Sequence, residues 1–176
     1  MQTTNSPTTD DDELTIEFGH SSLGLVLVAI SKRGIRAVQI GDDATVLREE
    51  LRERFPYALV EDTNTSATAD KVVAMIDAGD SEIDADLDIR GTDFQRSVWS
   101  ALRDIPAGST MSYTELAARI GKPAAVRAVA HACAANPLAV IIPCHRAVRS
   151  DGSLAGYRWG LARKLALLDR EAFARV

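Results

Sequence analysis

Apolar positions along the chain change their period several times, and each change marks an element. Leu14 to Phe18, the β-branched run Leu23 to Ser31 and Gly34 to Ile40 read as strands. Gly19 to Ser22 and Lys32-Arg33-Gly34 supply the turns, which makes the three an antiparallel meander. From Ala44 to Phe55 the spacing becomes helical: Val46, Leu47, Leu51 and Phe55 share one face, and Arg48, Glu49, Glu50, Arg52 and Glu53 cover the rest. Pro56 stops that helix. A polar stretch, Glu61 to Ser66, leads into a second helix from about Ala67 to Ala78, closed by Gly79. Between Asp80 and Asp88 acids alternate with Ile83, Ala85 and Leu87, which suits an extended linker or an edge strand with one buried face.

Beyond residue 88 the signals are helical. Thr92 can cap a helix whose stripe is Phe94, Val98, Trp99 and Leu102. Ser112-Tyr113-Thr114-Glu115 is a capping box opening a short helix, Thr114 to Ile120; Gly121-Lys122-Pro123 makes a turn, and a second helix runs from about Ala124 to Ala135 until Asn136-Pro137 ends it. Short helix, glycine turn and longer helix is the helix-turn-helix pattern, a weak signal when it stands alone. Seven alanines in the second helix leave little bulk, and Arg127 is its one long cation. Such a helix can approach a partner closely, although the same alanines equally permit tight packing inside a core. Ala139 to Ile142 then leads into Pro143-Cys144-His145-Arg146, and a last amphipathic helix carries Leu161, Leu165, Leu167 and Leu168, with Glu171 in its final turn.

Composition narrows the class. With 176 residues, 46% hydrophobic and 26% charged, the chain has ordinary globular usage, which excludes collagen-like, wholly disordered and disulfide-scaffold proteins. The longest strongly apolar stretch, Leu23 to Ile30, is far short of the roughly 18 to 20 residues that cross a bilayer. The N-terminus lacks a basic and then apolar leader, so a cytoplasmic, membrane-free protein is expected, with residues 1–12, polar and then acidic, as a disordered tail. The net charge of −5 hides a division: residues 1–88 carry 7 basic and 19 acidic side chains, net −12, whereas residues 89–176 carry 13 and 6, net +7. The basic half is therefore a candidate polyanion binder. The domains are expected at 13–88 and 89–176, divided where the charge changes sign.

Two cysteines, Cys133 and Cys144, lie eleven positions apart, which is neither a metal-binding nor a redox spacing. Cys144 stands between Pro143 and His145-Arg146, and neighbouring His or Arg populates a thiolate. A base adjacent in sequence needs a bridging water or a sharp turn to reach its neighbour. Asp151, Asp169 and Glu171 are the downstream acids that could orient the imidazole. Cys–His adjacency is weak evidence by itself, since an inert buried cysteine is the commoner case, and Cys133 is assigned to that inert class.

The run Gly91-Thr92-Asp93-Phe94-Gln95, Trp99, Ile105-Pro106-Ala107-Gly108, Ser112-Tyr113, Ile120-Gly121-Lys122-Pro123, Arg127-Ala128-Val129, Asn136-Pro137, Ile142-Pro143-Cys144-His145-Arg146 and Gly156-Tyr157-Arg158-Trp159-Gly160 resembles the O6-alkylguanine-DNA alkyltransferases, that is, the methylated-DNA-protein-cysteine methyltransferases. It looks most like the C-terminal half of the Ada-type bacterial members. The similarity is dense over residues 89–176 and extends upstream through LDIRGT and Arg54-Phe55-Pro56.

The resemblance implies an α/β N-terminal domain, an antiparallel sheet with helices of ribonuclease H-like form, followed by a mostly α domain with a DNA-binding helix-turn-helix. It implies a single-turnover DNA repair enzyme, a monomer acting on double-stranded DNA that contains O6-alkylguanine. On this pattern Cys144 attacks the alkyl carbon, His145 takes the thiol proton through a water, and Glu171 holds the imidazole. Arg127 fills the space left by a flipped base, with Ala125 and Ala128 on the DNA-facing helix. Tyr113 lies near the 3′ phosphate and can donate a proton to the leaving guanine. Asn136, Ala147, Tyr157 and Arg158 belong to the substrate pocket. Ala147 departs from the family's larger aliphatic residue, which puts packing of the pocket in question. Some members bind a structural zinc, but here no cysteine precedes Cys133 and His20 alone cannot make a four-ligand site, so no metal or cofactor is expected. The competing readings are a non-enzymatic lesion sensor, which the presence of Cys144 argues against, a helix-turn-helix regulator, and a cysteine hydrolase, for which no oxyanion-hole motif is found.

Overall fold

A computed structural model describes residues 13–174; the tail expected at residues 1–12 lies outside them. Three strands open the fold, β1 (Glu13–Ser21), β2 (Gly24–Ser31) and β3 (Gly34–Gly41), each antiparallel to the next. The first turn is shorter than the pattern suggests, because β1 runs through Ser21. Helix α1 (Ala44–Arg54) starts on Asp43, whose carboxylate accepts from the amides of Thr45 and Val46. It carries the chain across the sheet to β4 (Leu59–Asp62), which pairs parallel to β1, giving the order β3-β2-β1-β4. Hydrophobic periodicity misses β4 because this four-residue edge strand leaves every side chain at least partly exposed and shows no alternation. Helix α2 (Ala67–Ala78) completes this half.

The β2 run lacks alternation because both faces of its strand are covered. Leu27 and Ala29 pack with Leu47 and Leu51 of α1, whereas Val26 and Val28 face a larger core shared with Val72 and Ile76 of α2. That larger core continues into the second half through α3 (Asp93–Arg103), α4 (Tyr113–Arg119), α5 (Val126–Ala134) and the segment from Leu138 to Ile142. Apolar contact therefore runs unbroken across residue 88. The linker from Asp80 to Asp88 forms no strand of its own; it is pinned to β3 by a bridge between Ile35 and Leu87. Gly34, at φ +131°, makes this approach feasible, since a Cβ there would fall 2.2 Å from the Asp86 carbonyl oxygen. A second bridge joins Val38 to Leu138, the Val38 amide donating to the Pro137 carbonyl at 2.9 Å. The edge of the N-terminal sheet thus anchors the segment that leads to Cys144.

Helix α6 (Leu161–Ala174) corrects the amphipathic reading. Leu161 and Leu165 are half exposed, and the residues fully turned inward are Lys164, Leu167 and Glu171. The face is set by two charged groups that find partners in the core. Val46, expected on the buried face of α1, is likewise half exposed. A two-stranded ladder of β5 (Met111–Ser112) and β6 (Ala147–Val148) closes the fold beside the site. Among the described residues no helix is long and apolar enough to cross a membrane.

Candidate active site

Cys144, His145 and Arg146 form a single 3-10 turn after Pro143, and all three side chains are buried. The approach to it is strained. Val140 sits at φ 68°, a left-handed conformation that a β-branched residue adopts only when its surroundings enforce it. Asn136 ties this approach together: its Nδ2 donates to the Ile142 carbonyl at 2.8 Å and to Cys144 Sγ at 3.2 Å, while its Oδ1 accepts from the Leu138 amide at 2.9 Å.

Of the three acids that could orient His145, the fold selects Glu171. Its Oε1 lies 2.7 Å from His145 Nε2, whereas Asp151 is exposed and bonded to Ser153, and Asp169 is exposed. Burial alone would raise the Glu171 pKa, but hydrogen bonds from His145 and Arg146 and from the Gly108 amide hold it at about 2. Ionised Glu171 only accepts, so His145 carries its proton on Nε2 and presents a lone pair at Nδ1. That Nδ1 is buried and has no hydrogen-bond partner among the described residues. Burial lowers the His145 pKa against the opposing pull of Glu171, so the imidazole is neutral at rest and available as a base. Burial raises the pKa of Cys144, with the Asn136 hydrogen bond and Lys164 acting the other way. At rest the sulfur therefore holds its proton.

Two parts of this assembly escape a sequence reading. Arg146 grips Glu171 from the other side, with Nε at 3.1 Å from each carboxylate oxygen and Nη2 at 2.8 Å from Oε1; it also donates to the Ile105 carbonyl and to Ser81 Oγ. Lys164, fully buried, donates to the Ala147 carbonyl at 2.6 Å. A signal for Lys164 existed: it and Glu171 are seven residues apart, on the helix face that also carries Leu167 and Leu168.

A cavity of about 250 Å³ opens beside the sulfur, lined by Tyr113, Ala130, Cys133, Ala134, Cys144, Gly156, Tyr157 and Arg158. Tyr157 and Arg158 therefore stand on its wall, while Asn136 and Ala147, also expected at the pocket, are fully buried and do not line it. Burial raises the Tyr113 pKa to about 12, with the two thiols adding to the effect, so its hydroxyl keeps its proton. Cys133, assigned to an inert core position, is buried with its pKa raised to about 12, and it shares the wall of this cavity.

The outer face of α5 holds the expected binding residues. Arg127 and Ala128 are exposed, as are Ala124, His131 and Ala134; Val129, Ala132 and Cys133 face the core. Ala125 is the N-cap, just before the first helical turn. Trp99 Nε1 donates to the Ala132 carbonyl at 2.8 Å and holds the helix against α3. Capping boxes at Thr92 with Gln95 and at Ser112 with Glu115 fix the starts of α3 and α4.

Comparison with known proteins places this constellation. A family profile described as "6-O-methylguanine DNA methyltransferase, DNA binding domain" matches residues 93–173. The inducible methylated-DNA–protein-cysteine methyltransferase of Bacillus subtilis is 42% identical over 127 residues, 71% of each chain. The chain belongs to the methylated-DNA–protein-cysteine methyltransferase family. Another relative, the Escherichia coli bifunctional transcriptional activator/DNA repair enzyme Ada, is 55% identical over 152 residues; the match spans 85% of this chain and 43% of Ada. This methyltransferase-family chain thus matches less than half the length of Ada. Mycobacterium tuberculosis OGT, solved in complex with DNA, superposes with a TM-score of 0.73 at 34% identity, covering 92% of this chain and 94% of that one. The mixed α/β architecture, with its four-stranded sheet, is that of the family.

Proposed function

We propose that this chain repairs double-stranded DNA by moving the alkyl group of O6-alkylguanine onto Sγ of Cys144, once per molecule. The observation that carries the reading is the relay behind the sulfur. An ionised Glu171 fixes the tautomer of a neutral His145 whose Nδ1 lone pair has no partner among the described residues, directly next in sequence to a thiol on a cavity wall.

In the transfer, a carbon–sulfur bond forms as the carbon–oxygen bond breaks, and the bonding pair stays with the guanine. The thiol proton passes to His145 Nδ1 through a bridging water, and Glu171 stabilises the imidazolium. Tyr113, which holds its proton tightly, donates toward the departing purine and is reprotonated through solvent as the His145 imidazolium releases the proton it took from the thiol. Protons and electrons balance without a cofactor. The product is a thioether, which no group of the relay can cleave, so the protein is consumed.

The alkyl carbon is unreachable in a stacked duplex, so the base must be flipped into the cavity. We assign α4, the intervening turn and α5 as a helix-turn-helix whose small residues, Ala125 at the N-cap of α5 and Ala128 in its first turn, enter the minor groove. Arg127 fills the gap left in the stack, and Tyr157 and Arg158 close over the flipped base. Residues 13–88 act as a ribonuclease H-like scaffold and 89–176 as the catalytic unit, working as a monomer in the cytoplasm.

The test is stoichiometric. The protein is mixed with a duplex containing O6-methylguanine and weighed intact by mass spectrometry. One added methyl per chain and no consumption of a second portion of substrate support the reading; repeated turnover, or no gain in mass, removes it.

A further inference from the structure

One polar side chain on the outer face of α5 has no part in the function proposed above. The exposed positions of that helix are Arg127, Ala128, His131 and Ala134. His131 stands four residues after Arg127, so at 1.5 Å and 100° per residue it lies about 6 Å further along the axis and about 40° round. Ala130 and Ala134, on either side of it in sequence, line the cavity that holds Cys144, and Ala134 is also exposed at its rim. The imidazole therefore projects between Arg127 and the cavity mouth. Among the described residues its ring makes no hydrogen bond or ion pair, and the His131 carbonyl is already used by the Ala135 amide at 2.9 Å.

We propose that His131 is a further DNA-contacting residue, whose ring N–H donates to a backbone phosphate of the strand that carries the lesion. The inference rests on the reading of α5 as the DNA-facing helix. A minor groove is only about 6 Å wide, and alanines let a helix enter it; an imidazole has no room on the floor and turns to the wall, which is sugar and phosphate. The ring keeps an N–H to donate in either tautomer. The strand follows from the cavity: the nucleotide that leaves the stack beside Arg127 passes His131 before it reaches Ala134 and the sulfur. A phosphate contact there holds the strand without reading its sequence.

The full chain is titrated with a fluorescent lesion-free duplex at fixed salt and followed by anisotropy. His131→Ala and His131→Leu each weaken binding by about tenfold, and His131→Gln, which retains an N–H donor, recovers most of the loss. His20→Ala, an exposed histidine on β1, matches the parent. A duplex containing O6-methylguanine is then bound by Cys144→Ser, with and without His131→Leu, while one neutral methylphosphonate is moved along each strand. At one position of the lesion strand it weakens the protein that retains His131 and has no effect once His131 is leucine. Affinities within about twofold for all His131 variants, glutamine no better than leucine, or no methylphosphonate position that separates the two proteins overturns the contact; a sensitive position on the complementary strand overturns the strand assignment. A parent that binds no duplex removes the DNA-facing reading of α5 itself, whereas a parent that binds and is matched by its variants removes only the role of His131.

Discussion

Two segments each bring a thiol to the cavity: the 3-10 turn brings Cys144 and α5 brings Cys133. Both sulfurs are buried and both have raised pKa values, so exposure and acidity do not separate them. The partners do. Cys144 accepts from Asn136 and is followed by an imidazole whose tautomer is fixed by Glu171 and Arg146, whereas the neighbours of Cys133 on α5 are Ala132 and Ala134. On the proposed function, the acceptor cysteine is set apart by the hydrogen-bonded machinery behind it rather than by access to solvent.

The comparison breaks most severely if the relay is disabled. Glu171→Gln can donate to His145 Nε2 and so favours the wrong tautomer, with the lone pair turned away from its task. Methyl transfer is expected to slow by about 10² to 10⁴, the usual worth of a general base. A single-turnover time course checks this, and a slowing of less than about threefold would place the difference between the two thiols elsewhere. The same residue has a pH signature. Its folded pKa of about 2 lies below the ordinary 4.5, so ionised Glu171 adds stability above about 4.5 and that stability is lost as pH falls toward 2. Urea unfolding from pH 6 to pH 2 should show a shallower decline in Glu171→Gln than in the parent; parallel curves would contradict the assigned pairing.

Arg146→Ala leaves Glu171 in the core with its main counter-charge removed. It should cost about 3 to 5 kcal/mol of stability in urea unfolding, whereas Cys133→Ala should cost about 1 kcal/mol. Similar losses for the two would show that the relay is no more integrated than the alanine wall. Arg127→Ala acts on the outer face of the same wall. It is expected to weaken repair of duplex DNA by about tenfold and leave transfer from a free alkylated base almost unchanged. Equal loss on both substrates would remove its role in holding the flipped state.

The smallest effect concerns a buried polar group without a relay. Gln39 projects from β3 on the same side as Ala37, beside Leu27, and neither its Oε1 nor its Nε2 has a partner among the described residues. Gln39→Leu should raise stability by about 1 kcal/mol, since leaving such a group unpaired is costly and replacing it with an apolar one of similar size is not. A fall in the unfolding midpoint would mean that the amide is satisfied by a group outside the described residues.

Much of the fold was legible because period and punctuation agree: the meander, the capped helices α3 and α4, and the glycine turn before α5 all follow from local chemistry. What escaped depends on contacts distant in sequence. Strand β4 exists because α1 returns the chain to the free edge of β1, not because Leu59 to Asp62 alternates. The inward face of α6 is set by Lys164 and Glu171, whose partners lie 17 and 26 residues away, so an apolar stripe drawn through Leu161 and Leu165 points outward. Within the site, motif order supplied Cys144, His145 and Glu171, but the choice of Glu171 over Asp151 and Asp169 rests on the distance to Nε2. The clamp by Arg146 and the place of Cys133 on the cavity wall are three-dimensional facts with no spacing to announce them.

The central claim is that the relay, not the cavity, chooses the acceptor. The most direct measurement is peptide mapping after a single exposure to duplex DNA carrying O6-methylguanine, run on the parent, Cys144→Ser and Cys133→Ser. The account predicts methyl on the Cys144 peptide alone in the parent and in Cys133→Ser, and none in Cys144→Ser. Methyl on Cys133, in the parent or when Cys144 is removed, would contradict it.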